Sequence, residues 1–501
     1  MKIICYRHQE YQSIADILRL YFQEIQIDEE NNGIRIEDNS DLNEDCIIVS
    51  EASVAVSKTQ IRDQKDQTEI EVKTFVKERD LYISSRIFPN ALRREIKRQM
   101  YFILSSLLNM TYPWGSLTGI RPTQIALRSY LENDHDLIKA EKNLTDYWFV
   151  SKEKAKIALE TAISEEKTLQ KTDPNLPMLY IGIPFCRTRC AYCSFITRDA
   201  TAQAGFMDLY TDALIEELKQ ISDYMAKKNK KFQALYVGGG TPTALSDESF
   251  LKLMTTIKNE VPLIKNAELT VEAGRPDSIS QSKLESIKTL GEVRICINPQ
   301  TMHDRTLKLI GRDHSVADVY EAMAKARKLN FDAINMDLIL GLPKENKEDF
   351  LFSLDKVLEL KPESITVHTM ALKRSAFIEQ KYNQKYMALR FPNQELSEAF
   401  SQSVNILKEN NYQPYYLYRQ KNVRAGLENI GFAKKGHACV YNVGMMSDRI
   451  SVIGLGSGSA TKIISGDLVE RLYNPKDILT FSQRISEISQ KKIAFMSERD
   501  I

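Results

Sequence analysis

Six short apolar, β-branched runs recur between residues 175 and 370, at 179–185, 234–237, 268–272, 293–297, 333–339 and 364–370. Helical patterns separate them. Between the first two runs, Phe206, Leu209, Tyr210, Leu214, Leu218 and Ile221 keep one helical face apolar. Residues 247–259, 278–289, 316–329 and 347–360 fill the later gaps. Strands that alternate with helices imply a parallel sheet joined by right-handed crossovers. Six units are fewer than the eight of a closed barrel. An open, partial (β/α)6 barrel and a doubly wound sheet both fit this α/β rhythm.

The flanks are organised differently. Residues 1–172 show strand-like runs at 3–6, 33–36, 46–49 and 69–76, then helical patterns at about 90–110, 122–133 and 151–170, which predicts an α+β region. The acid-rich stretch 27–45 reads as a solvated loop. Residues 371–501 are mixed, with a helix near 393–409, strands at 415–418 and 449–453, and the small-residue run 454–460. The expected division is therefore 1–172, 173–370 and 371–501.

Hydrophobic residues make up 43% of the chain and charged residues 27%, enough to bury a core and to exclude global disorder. Lys and Arg number 68 against 67 Asp and Glu, so no long-range field draws the chain to nucleic acid or to an anionic membrane. No apolar run reaches 18 residues, and the one at residues 3–6 is too short for a signal peptide. A cytoplasmic protein with no membrane partner is expected.

Seven cysteines, an odd number thinly spread, argue against a disulfide framework. Three of them, Cys186, Cys190 and Cys193, fall in eight residues with spacing C-x3-C-x2-C, directly after the first strand. Structural zinc takes four ligands, and no fourth Cys or His lies near this loop. Iron–sulfur clusters are held by cysteine thiolates, and three thiolates on a 4Fe–4S cluster leave one iron open for another ligand.

C-x3-C-x2-C after strand one resembles the signature of the radical S-adenosylmethionine (SAM) enzymes. Four further segments narrow the likeness: Gly238-Gly-Gly-Thr-Pro-Thr243, Thr270-Val-Glu-Ala273, Arg294-Ile-Cys-Ile-Asn-Pro-Gln300 with Gly311-Arg-Asp-His314, and Asn335–Pro343. Together with Tyr180-Ile-Gly-Ile-Pro-Phe-Cys186 they resemble the oxygen-independent coproporphyrinogen III oxidase (coproporphyrinogen dehydrogenase) family over about residues 177–465. Tyr112–Thr123, Asn298–Thr301 and Tyr415–Lys421 look like its HemZ-type branch. The resemblance implies a partial radical SAM barrel. In that superfamily the open iron binds SAM, and a 5′-deoxyadenosyl radical takes a hydrogen from the substrate. It also implies roles. Cys186, Cys190 and Cys193 would ligate the cluster. Tyr180 and Glu272 would serve catalysis beside SAM, and Tyr192 would stack on adenine. Gly239, Gly240, Thr241, Glu272, Gln300, Arg312, Asp337 and Ala371 would bind one or two SAM molecules. The family reaction is oxidative decarboxylation of two propionates of coproporphyrinogen III to vinyl groups, fed by an electron donor such as flavodoxin or ferredoxin.

Strand alternation agrees with this reading, because Tyr180, Glu272, Arg294, Asp337 and His368 share the polar phase of their strands. The competing reading is that these polar residues serve only one another. Arg187, Arg189, Arg419 and Lys421 are either partners for substrate carboxylates or ordinary solvated charges. Trp114-Gly115, followed by Arg121-Pro122, is expected as an exposed turn that caps the barrel rather than touching propionates.

Some positions depart from the family pattern. Phe195 stands where the characterised oxidases carry a further cysteine, and Cys296 and Asn298 stand where Ser and Gly are usual. Paralogous heme chaperones carry His-Asn-x-x-Tyr-Trp near the C-terminus. The corresponding Tyr441–Met446 has neither His nor Trp, although His437 and Cys439 lie close by.

Overall fold

The computed structural model describes the chain apart from residues 23, 37–45, 55–68, 194–197, 200–203, 332, 372–392, 421–423 and 467. Phe195 and Lys421 are outside the described residues. The chain forms two compact units, a smaller one built mainly from Met1–Glu160 and a larger one built mainly from Thr161 onward.

In the smaller unit, strands β1 (Lys2–Tyr6), β2 (Gln26–Asp28), β3 (Gly33–Arg35), β4 (Ile47–Val54), β5 (Ile70–Val76) and β6 (Tyr82–Ile87) make one sheet in the order β2-β3-β1-β4-β5-β6. Strand β6 was not anticipated: its apolar positions are too few to show a period. Helices Tyr11–Tyr21 and Leu92–Leu108 bury Ile14, Leu18, Ile96 and Met100 in the same core as Ile3, Ile48 and Val72 of the sheet. Trp114, expected on an exposed turn, is buried instead. Gly115 adopts φ +52°, and a Cβ there would collide with the Phe149 carbonyl, so the turn is pressed against the segment that follows the helix Leu137–Lys142.

The larger unit carries β7 (Met178–Ile183), the short pair β8 (Phe185–Cys186) and β9 (Arg198–Asp199), then β10 (Phe232–Gly239), β11 (Leu263–Glu272), β12 (Arg294–Cys296), β13 (Ala333–Leu340) and β14 (Ser364–Thr369). Strands β7, β10, β11, β12, β13 and β14 are parallel sequential neighbours with helices between them, the six-unit (β/α)6 arrangement. The apolar phase faces the helices: Leu179, Ile181, Val237, Val271, Ile295, Leu338 and Val367 have no accessible surface. Each such side chain contributes about 1.5–3 kcal/mol by leaving water. Right-handed crossovers place the helices between these strands on that side, so the polar phase turns inward.

Residues 371–501 add β15 (Gln413–Tyr418), β16 (Asn429–Ala433), β17 (Val452–Leu455), β18 (Ala460–Ser465) and β19 (Leu468–Tyr473) to the same sheet. Its order is β15-β16-β14-β13-β12-β11-β10-β7-β17-β18-β19. The sequence division at 370 is therefore not a break in the sheet: β16 runs antiparallel to β14, and β17 runs parallel to β7. A six-stranded open sheet leaves two edges of unpaired peptide groups, and these late strands cover both. The other expected boundary, at 172, lies just beyond the helix Lys152–Leu169, whereas the two units part within that helix. No described helix is long and apolar enough to cross a membrane.

Candidate functional site

The loop after β7 carries the three cysteines, all of them free thiols with partly accessible surface. Several contacts fix its path. Ala191 N–H donates to the Ile310 carbonyl at 2.9 Å, and the Thr188 hydroxyl to the Gly311 carbonyl at 3.0 Å. Gly311 has φ +75°, and a Cβ there would sit 3.2 Å from the Arg189 carbonyl. Thr241 Oγ1 lies 3.4 Å from Cys186 Sγ, and Arg275 Nη1 lies 3.8 Å from Cys190 Sγ. Arg187 bonds the Asp277 carbonyl, and Arg187 and Arg189 are exposed.

The glycine turn, whose Gly239, Gly240 and Thr241 the resemblance assigns to SAM, has two N–H groups taken by the chain itself. Gly240 N–H donates to the Ile183 carbonyl and Thr241 N–H to the Phe185 carbonyl, both at 2.7 Å. A Cβ on Gly239 would fall 2.8 Å from the Ile183 carbonyl, and one on Gly240 would fall 2.6 Å from the Phe185 carbonyl and 3.0 Å from Cys186 Sγ. These glycines let the end of β10 press against the cysteine loop.

Gln300, Arg312 and Tyr192 form a second group. Arg312 donates to the Asn298 carbonyl at 2.8 Å and to the Tyr192 hydroxyl at 3.3 Å. Tyr192 sits between Cys190 and Cys193. Gln300 takes φ +70°, its peptide held on both sides by β13 through Asp337 and Ile339. Gln300 Oε1, Asn298 Oδ1 and Arg312 Nε are buried polar atoms without a hydrogen-bond partner. Buried polar atoms are normally paired, so this cluster beside the cysteine loop is where a polar ligand would find partners. Ala371 forms an isolated bridge just past β14, where the described residues stop.

The inner face of the sheet holds the remainder. Strands β7, β13 and β14 are buried throughout except at one residue each, Tyr180, Asp337 and His368. The Tyr236 hydroxyl donates to Glu272 Oε1 at 2.6 Å. Tyr180, Tyr236 and Tyr441 form a triangle of roughly parallel rings, with the Tyr236 and Tyr441 centroids 4.5 Å apart and Tyr180 6.4 and 6.2 Å from them. Burial lifts the Glu272 carboxyl to about 7; the Tyr236 hydrogen bond pulls it down, while the Asp337 charge adds to the rise. Asp337 is also penalised by burial, yet it stays below its ordinary range because His368 and the Asn335 amide favour the anion. His368 Nε2 lies 3.6 Å from Asp337 Oδ2, and its Nδ1 lies 3.3 Å from the Tyr418 hydroxyl.

Arg294 does not join this group, although it shares the polar phase. It pairs with Glu268 at 3.4 Å and donates to the His437 carbonyl at 2.8 Å. Cys439 is 1% exposed and donates to Glu268 Oε1, and the Val440 and Tyr441 N–H groups donate to the same carboxylate. Glu268 thus anchors the start of the helix Val440–Met446, whose Tyr441 fills the inside of the sheet. Sequence reasoning missed Tyr236, Arg275, Tyr418 and Tyr441 as neighbours of the site. Only Tyr236 left a signal, two residues before Gly238 in the polar phase of its strand.

Among the described residues, no three His, Cys, Asp or Glu side chains are grouped as they would be around one metal ion. A cluster asks for something else, since each thiolate binds a different iron. Three free thiols on one loop, a hydroxyl and a guanidinium beside two of the sulfurs, and orphaned polar atoms alongside are a donor set that fits a cluster with a polar ligand on it.

Comparison with known proteins agrees. The family model described as the radical SAM superfamily matches residues 180–357. The oxygen-independent coproporphyrinogen-III oxidase-like protein HemZ of Bacillus subtilis is 35% identical over 415 residues, covering 81% of this chain and 82% of that protein. The heme chaperone HemW of Lactococcus lactis is 31% identical over 238 residues, covering 47% of this chain and 60% of that protein. In fold, the chain is similar to coproporphyrinogen III oxidase (HemN) from Escherichia coli, a radical SAM enzyme, with TM-score 0.51 and 23% identity over 66% of this chain and 73% of that one. Its cofactors are those of the superfamily, a 4Fe–4S cluster and SAM. Sequence, inner-face geometry and kinship together place this chain in the radical SAM superfamily, within the family of the HemZ-type oxygen-independent coproporphyrinogen-III oxidase-like proteins.

Proposed function

We propose that the protein oxidatively decarboxylates propionate side chains of coproporphyrinogen III to vinyl groups. Each propionate loses one hydrogen atom from its β-carbon, its carboxylate as CO2, and one electron to an acceptor. When bound, the cluster and SAM supply a radical able to take that hydrogen atom. Cys186, Cys190 and Cys193 would hold the cluster. Tyr192, Gln300, Arg312 and Asp337 would hold SAM, with Gly239, Gly240 and Thr241 shaping the loop around it.

The observation that carries this reading is the single accessible residue on each of three otherwise buried strands, Tyr180, Asp337 and His368. They mark where the inner face of the sheet keeps accessible polar surface, the place for a bound substrate to cover and so keep water from a radical. Glu272, titrating near neutrality, is placed to hold or release a proton there. Arg187 and Arg189 are cations at the loop for substrate carboxylates. A one-electron donor such as flavodoxin or ferredoxin would reduce the cluster.

The likeness to HemW supports a second reading, heme handling. Cys439 speaks against itself as a heme ligand, because its thiol is buried on Glu268. The test is anaerobic incubation of reconstituted protein with SAM, a strong reductant and coproporphyrinogen III. Stepwise loss of two carboxyl groups, abolished by Cys190→Ala, is the expected result. SAM cleavage with an unchanged tetrapyrrole mass would overturn the substrate assignment, and stoichiometric heme retention would favour the second reading.

A further inference from the structure

Beside the cysteine loop lies a buried charge that the chemistry above does not use. Arg275 is 3% exposed and follows β11 by three residues, on the segment Gly274-Arg275-Pro276-Asp277. Its guanidinium is divided between two jobs. Nε and Nη2 donate to the two carboxylate oxygens of Asp277, at 3.1 and 3.2 Å. The third nitrogen, Nη1, turns the other way, to the Thr188 carbonyl at 2.9 Å and to Cys190 Sγ at 3.8 Å. A bidentate carboxylate on one edge fixes the plane of the guanidinium and leaves the opposite edge as the only direction for its remaining N–H groups. The pair is therefore an oriented dipole with its positive end on the cysteine sulfur. Asp277 is held in turn, its main-chain carbonyl accepting from Arg187 and its carboxylate lying 3.5 Å from His314 Nδ1. An Arg cannot shed its proton in a protein, so this charge is permanent.

We propose that Arg275 is a positioning residue that tunes the cluster: its N–H groups hold the Thr188–Cys190 turn, and its charge raises the cluster's reduction potential. The proposal rests on the assignment of Cys186, Cys190 and Cys193 as cluster ligands. Reducing the cluster adds one electron, and hence one negative charge, beside a cation in a poorly solvated site. Donors to cluster sulfurs and nearby charge are the levers by which a protein sets such a potential. Thr241 Oγ1 beside Cys186 is a neutral donor of the same kind, so Arg275 is the charged member of the pair. The physiological effect is that a milder one-electron donor suffices to fill the cluster.

The test is an anaerobic redox titration of the reconstituted full chain, with titanium(III) citrate as reductant and the paramagnetic signal of the reduced cluster as readout. Arg275→Met is expected to lower the reduced-to-oxidised ratio at fixed solution potential about tenfold, or about 59 mV for a one-electron couple. Arg275→Lys keeps the charge but loses the fork, and is expected to recover part of the shift. Asp277→Asn keeps a hydrogen-bond acceptor for Arg275 while removing the opposing charge, and is expected to move the ratio the other way. A merely structural role would shift both variants alike or only lower iron content, and either result overturns the proposal. So does a wild-type curve from Arg275→Met at full iron occupancy. If the wild-type chain assembles no 4Fe–4S cluster, the cysteine assignment itself is wrong and the proposal falls with it.

Discussion

Tyr236 and Glu272 stand on neighbouring parallel strands, and the phenol's hydrogen bond to the carboxylate is 2.6 Å long, on the face of the sheet opposite Leu235, Val237, Leu269 and Val271. The bond stabilises the anion, yet burial wins, and the carboxyl rests at about 7. The folded state thus binds a proton that the unfolded chain has released by pH 5–6. The stabilisation this gives is present below the unfolded value of 4.5 and is lost as pH rises through about 7. Thermal stability is expected to decline between pH 5 and 8, and Glu272→Gln to flatten that decline. Tyr236→Phe is expected to push the decline to higher pH. Melting curves across this window, for the three proteins side by side, decide the matter.

Iron and sulfide content separates the cysteines into two classes. Cys186→Ala, Cys190→Ala and Cys193→Ala are each expected to lose most of the iron bound after anaerobic reconstitution. Cys296→Ala and Cys439→Ala are expected to retain it, because those thiols are buried away from the loop. Metal analysis of the five variants is the measurement.

A single methyl group is expected to disable the loop. Gly240→Ala would put a Cβ 2.6 Å from the Phe185 carbonyl and 3.0 Å from Cys186 Sγ. The first is backbone and cannot swing aside, and the second is the sulfur proposed to hold the cluster. The variant is expected to fold, because the clash is local to one turn, but to bind less iron than wild type. Gly291→Ala, where a Cβ has open space but φ is +107°, controls for backbone strain alone. Equal iron loss in both would discard the steric account.

Lys492 and Glu217 form an ion pair with no accessible side-chain surface. Glu217 also accepts from Gly456 N–H and from Asn474, while Lys492 donates to the Gly454 carbonyl. Lys492→Met strands a buried carboxylate and is expected to cost about 3–5 kcal/mol. Adding Glu217→Gln to it is expected to recover part of that loss. Chemical denaturation of the single and double variants gives both numbers.

Much of the fold was legible because periodicity is local. The β/α rhythm, the inward phase of Tyr180, Glu272, Asp337 and His368 on their strands, and the cysteine spacing are each read from residues close together in sequence. What escaped was non-local. Arg294 shares that phase, but its partner Glu268 and the His437 carbonyl sit on other segments, and nothing in the strand itself reveals the pairing. Tyr441 looked like a residue of a separate domain, and it fills the sheet because Glu268 gathers the peptide N–H groups of its helix. The packing of the glycine turn escaped for the same reason: the Gly240 and Thr241 N–H groups go to the Ile183 and Phe185 carbonyls, far away in sequence.

The pairing of β17 with β7 has a bearing on how the protein is made. Val452 lies beside Met178 and Leu455 beside Ile181, so the strand that launches the cysteine loop gains its outer neighbour only once residues 452–455 have been synthesised. Until then one edge of β7 is bare and the loop's seat is half built. Stable seating of a cluster is therefore expected to wait for residues 452–455, and a nascent chain halted before residue 452 is expected to be a poor acceptor for iron and sulfide.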